Sequence, residues 1–290
     1  MSDDGTRAVS VIAFIGSVFS PWYAWSGRKR PQNHCCINVA TYGPGGRFTM
    51  TDRGERALKA EAHRFQVGPS QVRWTGKELL IEVNEWAAPP HIGARVTGTI
   101  VVVPNQLYDA ELALTEDDAH IWRPFAPTSR ISVYLNGPGW QWDGHGYFDA
   151  NFGTRALEAD FSYWTWGRFP SGDGSVCFYD ADRRDGTSLA AGIRFDDHGA
   201  HHMELPPKRP LRRTLWTLYR ETRGDQGCKP RQVKAMLDAP FYSRAAVETV
   251  IDGKRTVGVH EALDLNRFRS PLLKPMLAVR VPRWTGKAPE

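Results

Sequence analysis

The chain has 290 residues, with 37 Lys and Arg against 32 Asp and Glu for a net charge of +5, and hydrophobic and charged shares of 41% and 24%. Those proportions exclude a disordered chain. So mild a basic excess, with no basic arm and no aromatic–basic RNA-reading motif, excludes nucleic acid as the partner. A weakly basic face remains compatible with an anionic membrane surface.

The 11 Trp and the aromatic share of 11% are unusual. Such rings either fill a β core or gather where apolar and cationic species are held. Cys35, Cys36, Cys177 and Cys228 form no C-x-x-C pair. They make neither a disulfide framework nor a zinc knuckle, and a reducing compartment follows.

Taken in chain order, residues 11–19, VIAFIGSVF, are nearly all apolar, and the preceding MSDDGTR carries two acids. That is not the cationic leader of a signal peptide. The run is also far short of the ~20 residues of a spanning helix. It reads as a buried strand, or as a loop that touches lipid or an apolar substrate. Next come CINVATY, QVRWTG, LLIEVNEW, ARVTGTIVVV, ISVYLN, SVCFYD, AAGIRF, TLWTLY, AVETVI, RTVGV and MLAVRVP. All are rich in β-branched or aromatic residues and read as short strands. Asp252-Gly253 predicts a type I′ hairpin, and Asp185-Gly186 and Thr75-Gly76 predict similar turns. Short helices are expected within 55–64 and within part of 231–238.

Many short strands with frequent turns imply a sandwich or barrels. One antiparallel barrel of this length would be large, so two domains are expected, 1–145 and 146–290, with the seam in the Gly-rich stretch GPGWQWDGHGYFDANFG. RWTGK occurs at 73–77 and again at 283–287, a repeat that chance accounts for.

Several chemistries fall away. No G-x-G-x-x-G follows a strand, GPGG at 43–46 lacks the Lys and helix of a phosphate loop, and there is no G-x-S-x-G elbow. DDHGAHH at 196–202 is metal-like in composition but reads as a solvated turn, so no metal is expected. The densest polar–aromatic cluster is WQWDGHGYFDAN, 140–151. Alternate residues of a strand share a face, which puts Tyr147, Asp149 and Asn151 together, with His145 if the strand starts that early and Trp142 beside them. A carboxylate with a phenol and an imidazole is acid–base chemistry, or else a polar rim at a turn. His120 and Trp122 are also two apart, so an imidazole and an indole project together.

These stretches also carry a resemblance. VIAFIGSVFSPWYAW (11–25), INVATYG (37–43), FTMTDRG (48–54), HIWRP (120–124), GYFDANFG (146–153), DAPFYSR (238–244) and VHEALDLNRF (259–268) resemble, in order, the carotenoid 1,2-hydratases of purple bacteria, also called hydroxyneurosporene synthases. The resemblance implies a mainly β fold of two lipocalin-like antiparallel barrels in tandem. It implies hydration of the end of an acyclic carotenoid such as neurosporene or lycopene, on the route to spheroidene or spirilloxanthin, without a cofactor. It further implies that His120 and Trp122, as an H-x-W pair, and Tyr147 and Asp149, as a Y-x-D pair, are the functional residues. The long N-terminal extension of some members does not precede Met1 here.

The expected mechanism protonates C-2 from Asp149 and adds water to the tertiary cation at C-1. Trp122 and Tyr147 face the cation, and His120 orients Asp149 or takes the proton from water. A polyene substrate implies a cytoplasmic protein, peripheral on the inner photosynthetic membrane or served by a pathway enzyme. Trp22, Tyr23 and Trp25 are candidates for contact with lipid or substrate. The alternatives are a carotenoid carrier and a pericyclase or isomerase on the same scaffold. Sugar chemistry lacks a clear carboxylate pair.

Overall fold

β-Branched and aromatic runs set the architecture. In the computed structural model, which describes residues 1–286, strands dominate. The α-helices among the described residues are short: Pro21–Trp25, Leu157–Asp160, Leu265–Phe268 and Leu273–Arg280. No helix among them is long and apolar enough to cross a membrane.

The chain forms two compact units that interleave along the sequence. The first holds residues 1–104, 129–146 and 271–290, the second 105–128 and 147–270. This division departs from the expected segments 1–145 and 146–290, whose last four residues lie outside the described ones. The reason lies in two long strands. His120–Leu135 and Gln141–Gly153 pair with each other, and each passes from one unit into the other. Most of the expected Gly-rich seam, Gln141–Gly153, is therefore one continuous strand.

In the first unit, Ala8–Ile15 pairs antiparallel with Cys35–Tyr42, so VIAFI is a strand, though half-buried to exposed rather than the buried strand expected. A meander follows through Leu58–Glu61, Arg64–Val67, Ser70–Trp74, Leu79–Trp86 and Arg95–Pro104 to residues 129–135. Leu79, Ile81, Val83 and Glu85 are buried while Leu80, Glu82 and Asn84 are less so, the alternation of a strand with one face on a core. Glu85 is fully buried and is neutralised by Arg53 at 2.7 Å with Ser70 donating at 2.7 Å, as a buried charge requires. The chain's end returns to this unit: Arg283–Trp284 pairs parallel with Asp52–Arg53.

The second unit is built on a seven-stranded antiparallel sheet. Its order is Gly199–His202, Ser188–Asp196, Gly174–Arg183, Phe161–Ser171, Lys254–Asp264, Tyr242–Ile251 and Arg231–Asp238. One face carries Phe169, Val176, Phe178, Ala245 and Val247, covered by Leu211, Met203 and Leu205. The opposite face carries the site described below. Asp252 and Gly253 both have positive φ, 53° and 73°, as a type I′ turn demands.

Some elements differ from expectation. Residues 231–238 are a strand throughout, and 55–64 gives a 3-10 turn and then a strand at Leu58–Glu61. Both segments find antiparallel partners, which outweigh a weak helical propensity. Residues 214–219 form a loop, fixed by Thr214 Oγ1 accepting from Trp216 and Leu218. MLAVRVP lies mostly in the helix Leu273–Arg280. Its Leu, Met and Ala favour helix, and Pro275 falls within the first turn, where its missing N–H costs nothing. Of the repeated RWTGK, Lys287 lies outside the described residues. DDHGAHH forms the hairpin turn between Ser188–Asp196 and Gly199–His202, with Asp196 accepting from the His198 backbone at 2.9 Å.

Candidate active site

Register places four polar and aromatic side chains in one row. Arg244 pairs with Glu261, Glu261 with Trp166, and Trp166 with Tyr179. Directly paired residues emerge on the same face of a sheet, so the row crosses four neighbouring strands at one level. Arg244 Nε donates to Glu261 Oε1 at 2.7 Å, and both side chains are largely buried.

Residues from the two long strands sit on this row. The Tyr147 ring lies 4.9 Å from Trp166, and the Trp122 ring 5.8 Å from Tyr179. Trp164 stacks on Tyr179 at 5.2 Å and 15°. Trp122 donates its indole N–H to Asp149 Oδ2 at 2.7 Å. Three of the residues singled out from the sequence, Trp122, Tyr147 and Asp149, thus come together against three further rings.

Asp149 and Tyr147 keep partial surface accessibility, yet for both groups desolvation is the largest influence on ionisation. They are side chains that protein encloses while leaving their tips within reach of a small molecule. Burial pushes the Asp149 carboxyl up to about 6, against the opposing hydrogen bond from Trp122; Glu261 adds to the rise and Arg244 reduces it. Burial raises the Tyr147 and Tyr179 phenols well above their ordinary value, and the charge on Asp149 pushes in the same direction. Both therefore stay neutral.

His120 is placed differently from expectation. Its Nε2 donates to Asp160 Oδ2 at 2.7 Å, and the same oxygen accepts from Arg155 Nε at 3.0 Å. Arg155 in turn grips Asp117 at 2.6 Å. Burial alone would raise the Asp160 carboxyl, but the bonds from Arg155 and His120 outweigh it and hold the group below its ordinary value. The His120 ring packs on Phe161 at 5.1 Å. A Cβ at Gly153 would come within 2.9 Å of His120 Nδ1, so glycine is what lets the backbone pass over the ring. It is Trp122, and not His120, that donates to Asp149.

The remaining candidates lie elsewhere. Asn151 is exposed. His145 belongs to the first unit, where its carbonyl accepts from the N-terminal amine at 2.7 Å. Trp142 is also there, half-buried, its indole N–H without a partner among the described residues. Trp22 ties its helix to the Val281 carbonyl at 2.7 Å, and Tyr23 packs on His34 at 5.1 Å.

Sequence reasoning missed Arg244, Glu261, Trp166, Tyr179 and Asp160. Alternation within VHEALD marks Glu261 as sharing a face with the apolar Val259 and Leu263. Its pairing to Arg244 and Trp166 is visible only in register. No group of three or more potential metal ligands occurs among the described residues.

The fold and site define an antiparallel β protein with a desolvated carboxyl held among aromatic rings. The fold resembles a solved AttH structure from Nitrosomonas europaea, with a TM-score of 0.55 at 14% identity over 80% of this chain and 81% of that one. The family model for the carotenoid hydratase CrtC matches residues 11–289, and the chain belongs to that family. It is 61% identical to an acyclic carotenoid 1,2-hydratase of Cereibacter sphaeroides, over 95% of this chain and 99% of that protein. It is 58% identical to the protein of the same name from Rhodobacter capsulatus, over 95% and 98%.

Proposed function

We propose that this chain is an acyclic carotenoid 1,2-hydratase in which Asp149 is the acid. The observation that carries the acid assignment is a carboxyl with its ionisation pushed up to about 6, hydrogen-bonded to Trp122 and set among the rings of Tyr147, Trp166 and Tyr179.

The end of an acyclic carotenoid is a trisubstituted alkene. Protonating C-2 puts the charge on the tertiary carbon C-1, to which water then adds. The donor must hold a proton at neutral pH, which an ordinary Asp with a pKa of about 3.9 does not. With its ionisation near 6, about a tenth of Asp149 carries the proton at pH 7. Rings near the cation contribute roughly 0.5–2 kcal/mol each. That is too little to drive the step, so most of the acceleration rests on proton donation and positioning. Neutral Tyr147 and Tyr179 leave the rings as the only groups they present to the cation besides hydroxyls.

The substrate dissolves in lipid, so access to a bilayer follows. Supporting it, Leu272, Met276 and Val279 are 85%, 37% and 65% exposed, spaced i, i+4 and i+7 from the N-cap of the helix Leu273–Arg280. Trp25, 53% exposed, is on the neighbouring helix Pro21–Trp25, which packs on Leu273–Arg280. Lys29 and Arg30 are exposed after Trp25, Arg30 beside Glu55, and Arg280 is half-buried, whereas Lys274 is buried and Arg283 is held by Asp52. Exposed apolar side chains with exposed cations nearby suit contact with anionic lipid. The site of action is then the cytoplasmic face of the carotenoid-containing membrane.

The test is conversion in a host that makes lycopene or neurosporene, followed by chromatography with mass detection. The product is more polar and heavier by one water, with almost unchanged absorbance because the 1,2 bond is outside the conjugated chain. Asp149→Asn abolishes it, by at least 10³-fold in kcat. Pigment that co-purifies unaltered with folded protein would overturn the hydratase reading in favour of a carrier. Near-normal turnover by Asp149→Asn would remove the acid assignment alone.

A further inference from the structure

Hydration also releases a proton from the attacking water, and a side chain other than the acid is a candidate to take it. His120 is not placed for it: Nε2 is engaged by Asp160, Nδ1 lies against Gly153, and the ring is 2% exposed. The carboxylate in the cross-strand row itself is Glu261. It is fixed by Arg244 at 2.7 Å and is the direct neighbour of Trp166 in the cross-strand row. Trp166 supports the Tyr147 ring at 4.9 Å, and next in the row Tyr179 lies against Trp122, which holds Asp149. The Trp166 side chain is 3% exposed and its indole N–H has no protein acceptor among the described residues. A buried donor of this kind calls for an acceptor such as water. A donor beside a fixed carboxylate is the pair that one water needs, accepting from one and donating to the other.

We propose that Glu261 is the catalytic base that takes the proton from the attacking water, with Arg244 fixing its carboxylate and Trp166 orienting the water. The inference rests on the hydratase reading above. In the step, the π pair of the C-1,2 bond takes the Asp149 proton and forms the new C-2–H bond. A lone pair of water forms the C-1–O bond. One O–H bond of that water breaks and its proton goes to Glu261. Asp149 is left ionised and Glu261 protonated, and passage of one proton between them through water restores both. A weak base suffices, because a protonated tertiary alcohol is a very strong acid. Separating donor and acceptor also gives a use to a second carboxylate whose charge is felt at Asp149.

The experiment measures kcat and KM on detergent-dispersed lycopene for the parent chain, Glu261→Gln, Glu261→Ala and Trp166→Phe. Expected are a kcat loss of at least 100-fold for both Glu261 variants with KM within threefold. Trp166→Phe loses about tenfold. Formate, a small carboxylate that fits the space left by the side chain, restores Glu261→Ala by at least tenfold. A structural role would not respond to formate. If Glu261→Ala does not fold, the neutral pair Arg244→Gln/Glu261→Gln carries the test against Arg244→Gln, which keeps the base and stays within tenfold of the parent while the pair does not. Turnover within fivefold of the parent by Glu261→Gln or by the neutral pair overturns the proposal. So does a folded, inactive Glu261→Ala that formate leaves unchanged. A failure of the hydratase reading shows in the parent chain itself, and a failure of the Glu261 assignment only in the variants.

Discussion

Trp122 donates its indole N–H to Asp149 across 2.7 Å. The bond favours the ionised carboxylate, whereas burial favours the acid, and burial wins. Trp122 therefore moderates the acid as well as positioning it.

Replacing Trp122 by Phe keeps a ring and removes the donor. The Asp149 carboxyl then moves further up from about 6. Since turnover requires the protonated form, the alkaline limb of the kcat/KM profile moves to higher pH. Loss of the positioning bond lowers the maximum rate about tenfold, the equivalent of ~1.4 kcal/mol. A pH–rate profile checks both, and a limb that stays in place would separate it from Asp149.

His120 ties Asp117 to residues 155–160 within the second unit through Asp160 and Arg155. His120→Ala removes a buried ring and strands part of that network, at a cost of about 2–4 kcal/mol. Asp160→Asn keeps an acceptor and costs less. Activity falls with the folded fraction in both variants. Thermal unfolding beside activity at low temperature distinguishes this from chemistry: full stability with lost turnover would place His120 in the reaction.

His260 is fully enclosed, its Nε2 donating to the Glu221 carbonyl at 2.8 Å, and burial depresses it to about 4. The unfolded chain binds this proton near 6.5 and the folded one only near 4. Between those values the unfolded state carries more protons, so stability is present above about 6.5 and is lost as pH falls towards 4. The shift corresponds to at most about 3 kcal/mol. His260→Gln flattens the acid limb of a Tm-against-pH curve by several degrees. Asp149 acts in the opposite sense, because its raised value makes the folded state the tighter proton binder between about 4 and 6.

Leu272, the N-cap of the helix Leu273–Arg280, and Val279 within it are exposed to solvent. Burying each in lipid is worth about 1.5–3 kcal/mol. Leu272→Glu with Val279→Glu lowers partition onto vesicles containing anionic lipid by at least tenfold, and raising salt weakens the parent's binding. Turnover of detergent-dispersed substrate stays within twofold. Flotation of the double variant equal to the parent would remove this face as the lipid contact.

Alternation alone determined a good deal here. The period-two burial of Leu79–Trp86 and the Asp252-Gly253 turn follow from side-chain direction and glycine's freedom at positive φ. Residues two apart in Tyr147-x-Asp149 and His120-x-Trp122 must share faces, so these candidates were legible before any packing was known. Tertiary structure decided what each touches. Register between distant strands brought Arg244 to Glu261 and Trp166 to Tyr179, and no local pattern encodes a pairing that loop closure and core packing select. It also turned His120 to Asp160 and gave Trp122 to Asp149. The interleaving of the two units was illegible for the same reason: composition cannot show that a single strand such as His120–Leu135 serves both. The ionisation of Asp149 depends on how completely other strands desolvate it, which is a property of the packed chain and not of its neighbours in sequence.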